Sequence, residues 1–202
     1  QMLFQLPLVD QTFKKVWWDA NLERQCSKFV KAEDFIVAPE STDLFTSPRY
    51  TQVIRLPRND YNRYVDSGWY LPAKYSGSGT DPSGDTTSDI EGVNPYADDE
   101  QDEVMTLLEM HVYSAFEGLD GINDEDDENL VMLPYVVTID YDSEKIVSVR
   151  RNWREDDNRK ERRNWFVSYK FLPGVGFYGF GLYHMIGGLG KAATGALRAL
   201  LD

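Results

Sequence analysis

Three glycines near the carboxyl end of the chain have the spacing of a phosphate-binding loop. Residues 174–179 read Gly-Val-Gly-Phe-Tyr-Gly, the GxGxxG pattern that lets a backbone approach a pyrophosphate between a strand and a helix. The dinucleotide fold also needs a second parallel strand and an acidic residue about 20 positions further on to hold the ribose. The only acid after the pattern is Asp202, and bulky Phe177 and Tyr178 stand where the phosphates would press on the backbone. The pattern therefore favours a packed corner or a subunit contact, with a nucleotide- or dinucleotide-binding enzyme domain as the alternative.

A second candidate is the acidic run at 120–128, which reads Asp-Gly-Ile-Asn-Asp-Glu-Asp-Asp-Glu. Oxygen ligands at alternating positions suit a hard cation such as calcium. The sixth position of the run is Glu125, where an EF-hand loop requires glycine, and the flanking residues are typical of strands. A solvated hairpin tip is the favoured interpretation, and a calcium-binding module is the alternative.

The inventory of catalytic side chains is small. His111, His184 and Cys26 are the only histidines and the only cysteine, and no nucleophile has a base at a recognised motif spacing. We expect a structural protein rather than an enzyme, with no cofactor and no metal site. A single cysteine excludes an internal disulfide and favours a reducing, cytoplasmic setting. The sequence contains no signal-peptide pattern and no run suited to spanning a bilayer.

A strongly acidic chain has a local excess of basic residues at 159–163. The net charge is −13 and the isoelectric point is near 4.6, which argues against a protein that coats nucleic acid. Residues 154–163 are mixed in sign and predict a short exposed helix or a loop. The candidates for contact with a phosphate or an acidic partner are Arg159, Lys160, Arg162 and Arg163, although a solvated face is the default interpretation.

Aromatic residues are the other candidate contact groups. Four of them alternate with glycines between a strand that ends at Pro173 and a helical pattern that starts near Leu182. We expect this corner to act as a subunit interface or a hinge, through Phe177, Tyr178, Phe180 and Tyr183. Trp17 and Trp18 predict a half-buried pair on a strand, with a stacking platform for a base or sugar as the alternative.

These groups are positioned by a strand-rich α+β fold. Apolar, aromatic and β-branched runs predict strands at 2–9, 13–18, 49–56, 104–113 and 165–173, a strand, a turn and a second strand over 29–37, and an antiparallel hairpin at 133–153. A short helix near 60–67 has Asn59 as its expected N-cap and Gly68 as its expected C′ residue. A longer helix begins at about 182.

Composition divides the chain into four segments. Residues 1–74 and 104–181 are two parts of one β-rich domain, and residues 182–202 form a helix. Residues 75–103 are rich in Ser, Gly and acid, which predicts a mobile loop because little apolar surface offsets the entropy of ordering. The chain starts in an apolar run and ends in a helical pattern without a cap, so we expect it to be a fragment of a longer protein.

The segment 165–202 resembles a known family. Tyr169-Lys-Phe-Leu-Pro-Gly-Val-Gly-Phe-Tyr-Gly-Phe-Gly-Leu-Tyr-His-Met-Ile-Gly-Gly-Leu189, followed by Ala-rich residues 192–202, is similar to the portal protein of short-tailed double-stranded DNA bacteriophages. Further similarity lies in residues 133–140 with Arg150-Arg-Asn152, in 4–8 with 13–15, and in 29–34. The resemblance covers the chain from end to end, with the Ser/Gly-rich acidic segment as an insertion-prone gap.

The resemblance implies a head-to-tail connector that forms a ring, usually dodecameric, at one capsid vertex. DNA is packaged and ejected through the ring, and passes without sequence-specific binding. The implied partners are further copies of the chain, the terminase motor, and tail, adaptor and capsid proteins, with no membrane. This chain then corresponds to the wing of the portal, with residues 182–202 leading towards the stem. The implied location is the virion, after assembly in the bacterial host cytoplasm, and the family supplies no catalytic residues.

Overall fold

The computed structural model describes residues 2–20, 22–73, 104–116, 132–174 and 176–201. The acidic segment 75–103 and the candidate calcium run 120–128 lie outside the described residues, so both expectations stay predictions. The described elements are α1 (Met2–Val9), β1 (Gln11–Asp19), β2 (Arg24–Val30), a 3-10 turn (Ala32–Asp34), β3 (Phe35–Val37), β4 (Tyr50–Pro57), α2 (Arg58–Asp66), β5 (Val104–Ser114), β6 (Leu133–Asp140), β7 (Lys145–Arg151), β8 (Phe166–Lys170) and α3 (Leu182–Leu201). Two antiparallel sheets and three helices confirm the predicted strand-rich α+β class.

The chain divides into two compact units. One comprises Gln1–Phe35, Pro39–Ser47 and Asn164–Asp202, and the other comprises Ile36–Ala38 and Pro48–Arg163. This grouping follows spatial proximity, whereas the four segments expected from sequence follow composition. Those segments stay a prediction.

The first unit is built on a three-stranded sheet of order β2-β1-β8, with β1 antiparallel to both neighbours. Its core lies on one face of β1, where the rings of Phe13 and Phe35 stack with centroids 4.1 Å apart and Phe35 lies 4.9 Å from Phe166. Phe13 is completely buried. Because an aromatic side chain buries on the order of 150–250 Å², this cluster is the main source of hydrophobic stabilisation described for the unit.

The second unit contains a five-stranded sheet of order β3-β4-β5-β6-β7. One face packs on α2 through Tyr61, Met105 and Leu107, and the opposite face buries Leu133, Tyr135 and Val137. The predicted hairpin is confirmed as β6 and β7, joined by a turn in which Glu144 has a φ of 54°.

Helix α2 ends as the sequence predicts but begins differently. Gly68 has a φ of 76°, its N–H donates to the Val65 carbonyl at 3.0 Å, and the N–H of Trp69 donates to the Tyr64 carbonyl at 2.9 Å. These two bonds form the Schellman arrangement that glycine permits at C′. The expected N-cap Asn59 is wrong: the helix begins at Arg58 and is preceded by Pro57, which ends β4 and offers no side-chain cap.

The expected strand at 2–9 is also wrong, because Met2–Val9 forms the helix α1. The apolar residues there include the adjacent pairs Leu3-Phe4 and Leu8-Val9, so the run lacks the alternation that specifies a strand. In so short a run, the spacing of the apolar residues does not distinguish a helix from a strand. The backbone N–H of Asp10 donates to the Leu6 carbonyl at 3.2 Å and closes the last turn of the helix.

Candidate assembly surface

The glycine-rich segment between β8 and α3 forms a closed corner. Leu172 and Phe180 form an isolated antiparallel bridge, in which the N–H of Phe180 donates to the Leu172 carbonyl at 2.8 Å. Just before it, the N–H of Phe171 donates to the carbonyl of Asp10 at 2.8 Å. The backbone on both sides of the corner is therefore held by hydrogen bonds before α3 begins.

Three glycines of the corner, Gly174, Gly179 and Gly181, lie against other parts of the backbone. A Cβ at Gly179 would lie 2.5 Å from the Leu172 carbonyl oxygen, and a Cβ at Gly181 would lie 2.7 Å from the Asp10 nitrogen and 2.8 Å from the Leu8 carbonyl oxygen. No side chain fits at such distances without movement of the backbone. Because glycine has no side chain, other backbone segments of the same chain can approach closely at these positions of the corner.

Phe177 anchors the corner to the core of the three-stranded sheet. Its side chain is 5% exposed, and its ring stacks on Phe13 at 6.1 Å between centroids. The ammonium of Lys170 lies 5.4 Å from the same ring. Phe177 therefore contributes to the folding of its own chain, and it does not lie on a surface open to another subunit.

The other three predicted aromatic residues are exposed. Tyr178 is half exposed and packs edge-on against Phe177, Phe180 packs edge-on against His184, and Tyr183 is 73% exposed. Partial burial raises the pKa of Tyr178, and the negative charge of Asp10 raises it further. The corner thus separates its aromatic residues into one buried anchor and three that are accessible at the start of α3.

Helix α3 is amphipathic and largely uncovered. Its large apolar side chains recur at helical spacing and are each more than half exposed, namely Met185, Ile186, Leu189, Leu197 and Leu200. The polar residues His184, Lys191 and Arg198 are spaced by seven and share the opposite face. Monomeric proteins rarely expose a contiguous apolar patch larger than a few hundred Å². The apolar face of α3 is therefore the strongest candidate for a contact with another molecule.

Helices α1 and α3 together form an apolar groove of about 710 Å³, lined by residues that include Leu8, Val9, Leu182 and Ile186. Beside it, Leu3 and Phe4 of α1 are 82% and 74% exposed. The groove extends the apolar surface of α3 onto α1. We call this combined surface, made by the exposed apolar residues of α1 and α3, the helical face.

The predicted basic contact residues do not converge on one point. The N–H of Arg159 and of Glu161 each donate to the Asp157 carboxylate at 2.9 Å, and these bonds lower the pKa of Asp157. The Lys160 ammonium lies 5.6 Å from the Trp153 ring. Residues 154–163 form turns, which agrees with the loop alternative.

Arg162 and Arg163 have structural partners. The guanidinium of Arg162 lies over the rings of Tyr50 and Tyr113, at 5.2 and 5.3 Å. The backbone N–H of Arg163 donates to the Asn152 carbonyl at 2.8 Å. These contacts hold the segment onto its sheet, and phosphate binding by the four cations stays a prediction.

Sequence reasoning missed a buried polar cluster around His111 in the second unit. His111 donates from Nε2 to the Glu109 carboxylate at 3.2 Å, and its Nδ1 accepts from Asn152 at 3.4 Å. Arg150 lies 3.6 Å from the other Glu109 oxygen, and the Tyr50 ring stacks on His111 at 4.7 Å. The alternation of Glu109 and His111 was the available signal, because residues two apart share a face of a strand. The cluster links β5 to the segment after β7.

Trp17 and Trp18 lie on opposite faces of β1, as neighbours on a strand must. Trp17 is half-buried, whereas Trp18 is 62% exposed. Trp18 therefore belongs to the exposed face of the three-stranded sheet, opposite the face that contains Phe13.

Within the described part of the chain, no group of three or more His, Cys, Asp or Glu side chains is arranged to hold a metal ion. In the same part, none of the helices has the length and apolar character needed to cross a bilayer.

No family model matches the chain, and no curated protein matches it.

Proposed function

We propose that this chain is a structural portal protein, the ring-forming connector between head and tail of a short-tailed double-stranded DNA bacteriophage. One observation carries the proposal: α3, a 20-residue helix with an uncovered apolar face, follows directly from the closed corner. An exposed apolar helix face is unfavourable in a monomer, and contact with another molecule in an assembly buries it. The resemblance of residues 165–202 to portal proteins agrees with this interpretation.

The corner gives the helix a defined direction relative to its own sheet. Burial of the Phe177 ring contributes roughly 1.5–3 kcal/mol, and the bond from Phe180 to Leu172 contributes about 1 kcal/mol. A closed ring requires every subunit to present its contact surface at the same angle, since angular errors add up around the axis. The close backbone packing at Gly179 and Gly181 holds α3 at a more constant angle than a flexible linker would.

The net negative charge of the chain suits a protein through which DNA moves without binding tightly. Neutralisation of phosphates by Lys and Arg drives non-specific DNA binding, and the chain has 34 acidic against 21 basic residues. The proposed partners are further copies of the chain, the terminase motor, and capsid, tail and adaptor proteins. The proposed location is one vertex of the virion, after assembly in the host cytoplasm.

Electron microscopy of the complete encoded polypeptide tests the proposal. We expect rings with a central hole, and we expect their loss when Leu189 and Leu197 are both changed to Glu, because charge on the apolar face of α3 opposes burial. The matched control is Met132→Glu, which places the same charge on an exposed apolar residue of the other unit. Rings that persist in the double variant would show that α3 is not an assembly surface, and an absence of rings in the unaltered protein would overturn the portal function.

A further inference from the structure

Residues 153–162 form a loop whose two ends lie side by side. The backbone N–H of Arg163 donates to the Asn152 carbonyl at 2.8 Å and closes the base of this loop. Asn152 is completely buried, and its own backbone N–H donates to the carbonyl of Pro134 on β6 at 3.0 Å. We call residues 153–162 the clasped loop. Its base therefore rests on a buried residue that is fixed to the five-stranded sheet.

One imidazole is linked to both ends of the clasped loop. At the first end, the side-chain amide of Asn152 donates to Nδ1 of His111 at 3.4 Å. At the second end, the guanidinium of Arg162 lies 5.2 Å from the Tyr50 ring, and that ring stacks on His111 with centroids 4.7 Å apart. The side chain of His111 is 1% exposed, so its charge acts directly on these neighbours.

The hydrogen bonds of His111 require the neutral ring. Its Nε2 donates to the Glu109 carboxylate at 3.2 Å, and its Nδ1 accepts from Asn152. A neutral imidazole has one donor and one acceptor nitrogen, whereas the protonated ring has two donors. A proton on Nδ1 would therefore face the amide N–H of Asn152, and this contact would be lost unless the amide turned over. The bond to Glu109 would remain.

The charges around His111 oppose a further cation. The titratable and charged groups that surround it come from β4, β5, β7, the segment after α2 and the clasped loop, namely Tyr50, Glu109, Tyr113, Arg150, Tyr70 and Arg162. Among these described groups Glu109 is the only carboxylate, and it already lies 3.6 Å from the Arg150 guanidinium. A proton on His111 would place three cations in a cluster with one carboxylate. Because buried charges are screened weakly, this excess opposes the contact of Arg162, which lies on a loop rather than on a strand.

We propose that His111 is a pH-dependent switch for the clasped loop. The neutral ring holds the base of the loop through Asn152, and the protonated ring retains Glu109 and releases the loop. Attachment is therefore present on the alkaline side of the imidazole titration and lost on the acid side. Release also separates the Arg162 guanidinium from the ring of Tyr50, so that this cation becomes accessible to solvent. The switch goes beyond the proposed function and operates whether or not the chain assembles.

Nuclear magnetic resonance of the full chain tests the inference from about pH 8 to about pH 5, the range in which imidazoles ordinarily titrate. Side-chain nitrogen shifts of His111 report its tautomer and its proton, and hydrogen exchange of the Arg163 amide reports the bond that closes the loop. As His111 gains a proton, the protection factor of the Arg163 amide should fall about tenfold or more. The matched control is the Tyr141 amide, which donates to the Thr106 carbonyl at 2.9 Å in the same unit and should keep its protection.

Two substitutions separate His111 from other titrating groups. His111→Asn places an amide oxygen where Nδ1 accepts from Asn152, and it gains no proton in this range, so protection at Arg163 should stay constant with pH. His184→Asn removes the only other histidine of the chain, and its profile should match that of the unaltered protein. Circular dichroism checks that each variant is folded.

The inference fails if His111 takes up no proton over this range, or takes one up while the Arg163 amide keeps its protection. Equal loss of protection at Tyr141 would also overturn it, because the unit would then unfold as a whole. Acid loss that persists in the His111→Asn variant would assign the effect to another group and contradict the switch. If that variant does not fold, the titration of the unaltered chain with its two amide readouts still decides.

Discussion

The backbone N–H of Phe180 donates to the carbonyl oxygen of Leu172 at 2.8 Å, so the chain returns to the end of β8 before α3 begins. This bond closes the corner on one side, and the stacking of Phe177 on Phe13 anchors it on the other. The direction of α3 is therefore set by contacts within one unit of the chain.

Gly181→Ala should destabilise the first unit. The added Cβ would lie 2.7 Å from the Asp10 nitrogen, and overpacking of this kind costs about 1–3 kcal/mol. The measurement is the free energy of unfolding in urea. Gly195→Ala is the matched control, because no atom lies within 4 Å of its added Cβ, and alanine in a helix interior stabilises by about 0.5–1 kcal/mol relative to glycine. Equal effects of the two substitutions would contradict the close approach at Gly181.

Phe177→Ala should cost about 3–5 kcal/mol of unfolding free energy, because it removes a buried ring from the aromatic core. Tyr183→Ala, at a residue that is 73% exposed, should change the unfolding free energy by less than about 0.5 kcal/mol. Thermal denaturation of both variants compares them directly. A small effect at Phe177 would mean that the corner is not anchored in the core.

The predicted and observed folds agree where composition and turn residues point to one structure and differ where a run has two interpretations. The hairpin at 133–153 has β-branched runs on both sides of a polar turn and is confirmed. The run Met2–Val9 fits neither period well, and it became a helix. Among the corner aromatics, the sequence could not separate Phe177 from its neighbours, because burial depends on the position of Phe13 on another strand.

The long-range contact in the buried cluster, between His111 and Asn152, was beyond sequence reasoning for a similar reason. Asn152 and His111 are 41 positions apart, and they meet because β5 and β7 both pair with β6. No local pattern predicts that pairing register.

Glu109→Gln should destabilise the second unit by about 1–3 kcal/mol, because buried His111 and partly exposed Arg150 lose a charged acceptor that is itself buried. The free energy of unfolding from chemical denaturation is the measurement. Glu161→Gln is the control, since that side chain is 71% exposed and its ion pair with Arg159 spans 3.8 Å. If both variants unfold at the same denaturant concentration, the cluster does not stabilise the sheet.

Stability should fall as pH rises from about 10 to about 12. Burial raises the pKa of Tyr50 and of Tyr70 from 10.0 to about 12. A tyrosine is charged only after it loses its proton, so below pH 10 both the folded and unfolded states keep the proton. Above pH 10 the unfolded state ionises first, and the stability that depends on the neutral phenols is lost as pH approaches 12. Denaturation midpoints across this range, followed with tyrosinate absorbance, measure the loss.

Tyr50→Phe is the matched variant for that titration. It retains the ring that stacks on His111 and removes the ionisable hydroxyl, so its loss of stability at alkaline pH should be smaller. An unchanged alkaline profile would show that Tyr50 does not titrate in the proposed window.

The central claim is that this chain assembles into a closed ring through α3. Native mass spectrometry of the complete encoded polypeptide tests it most directly. We predict one dominant species with a fixed copy number and no ladder of intermediate sizes. A monomer at all concentrations, or a series of open oligomers without a preferred size, would contradict the claim.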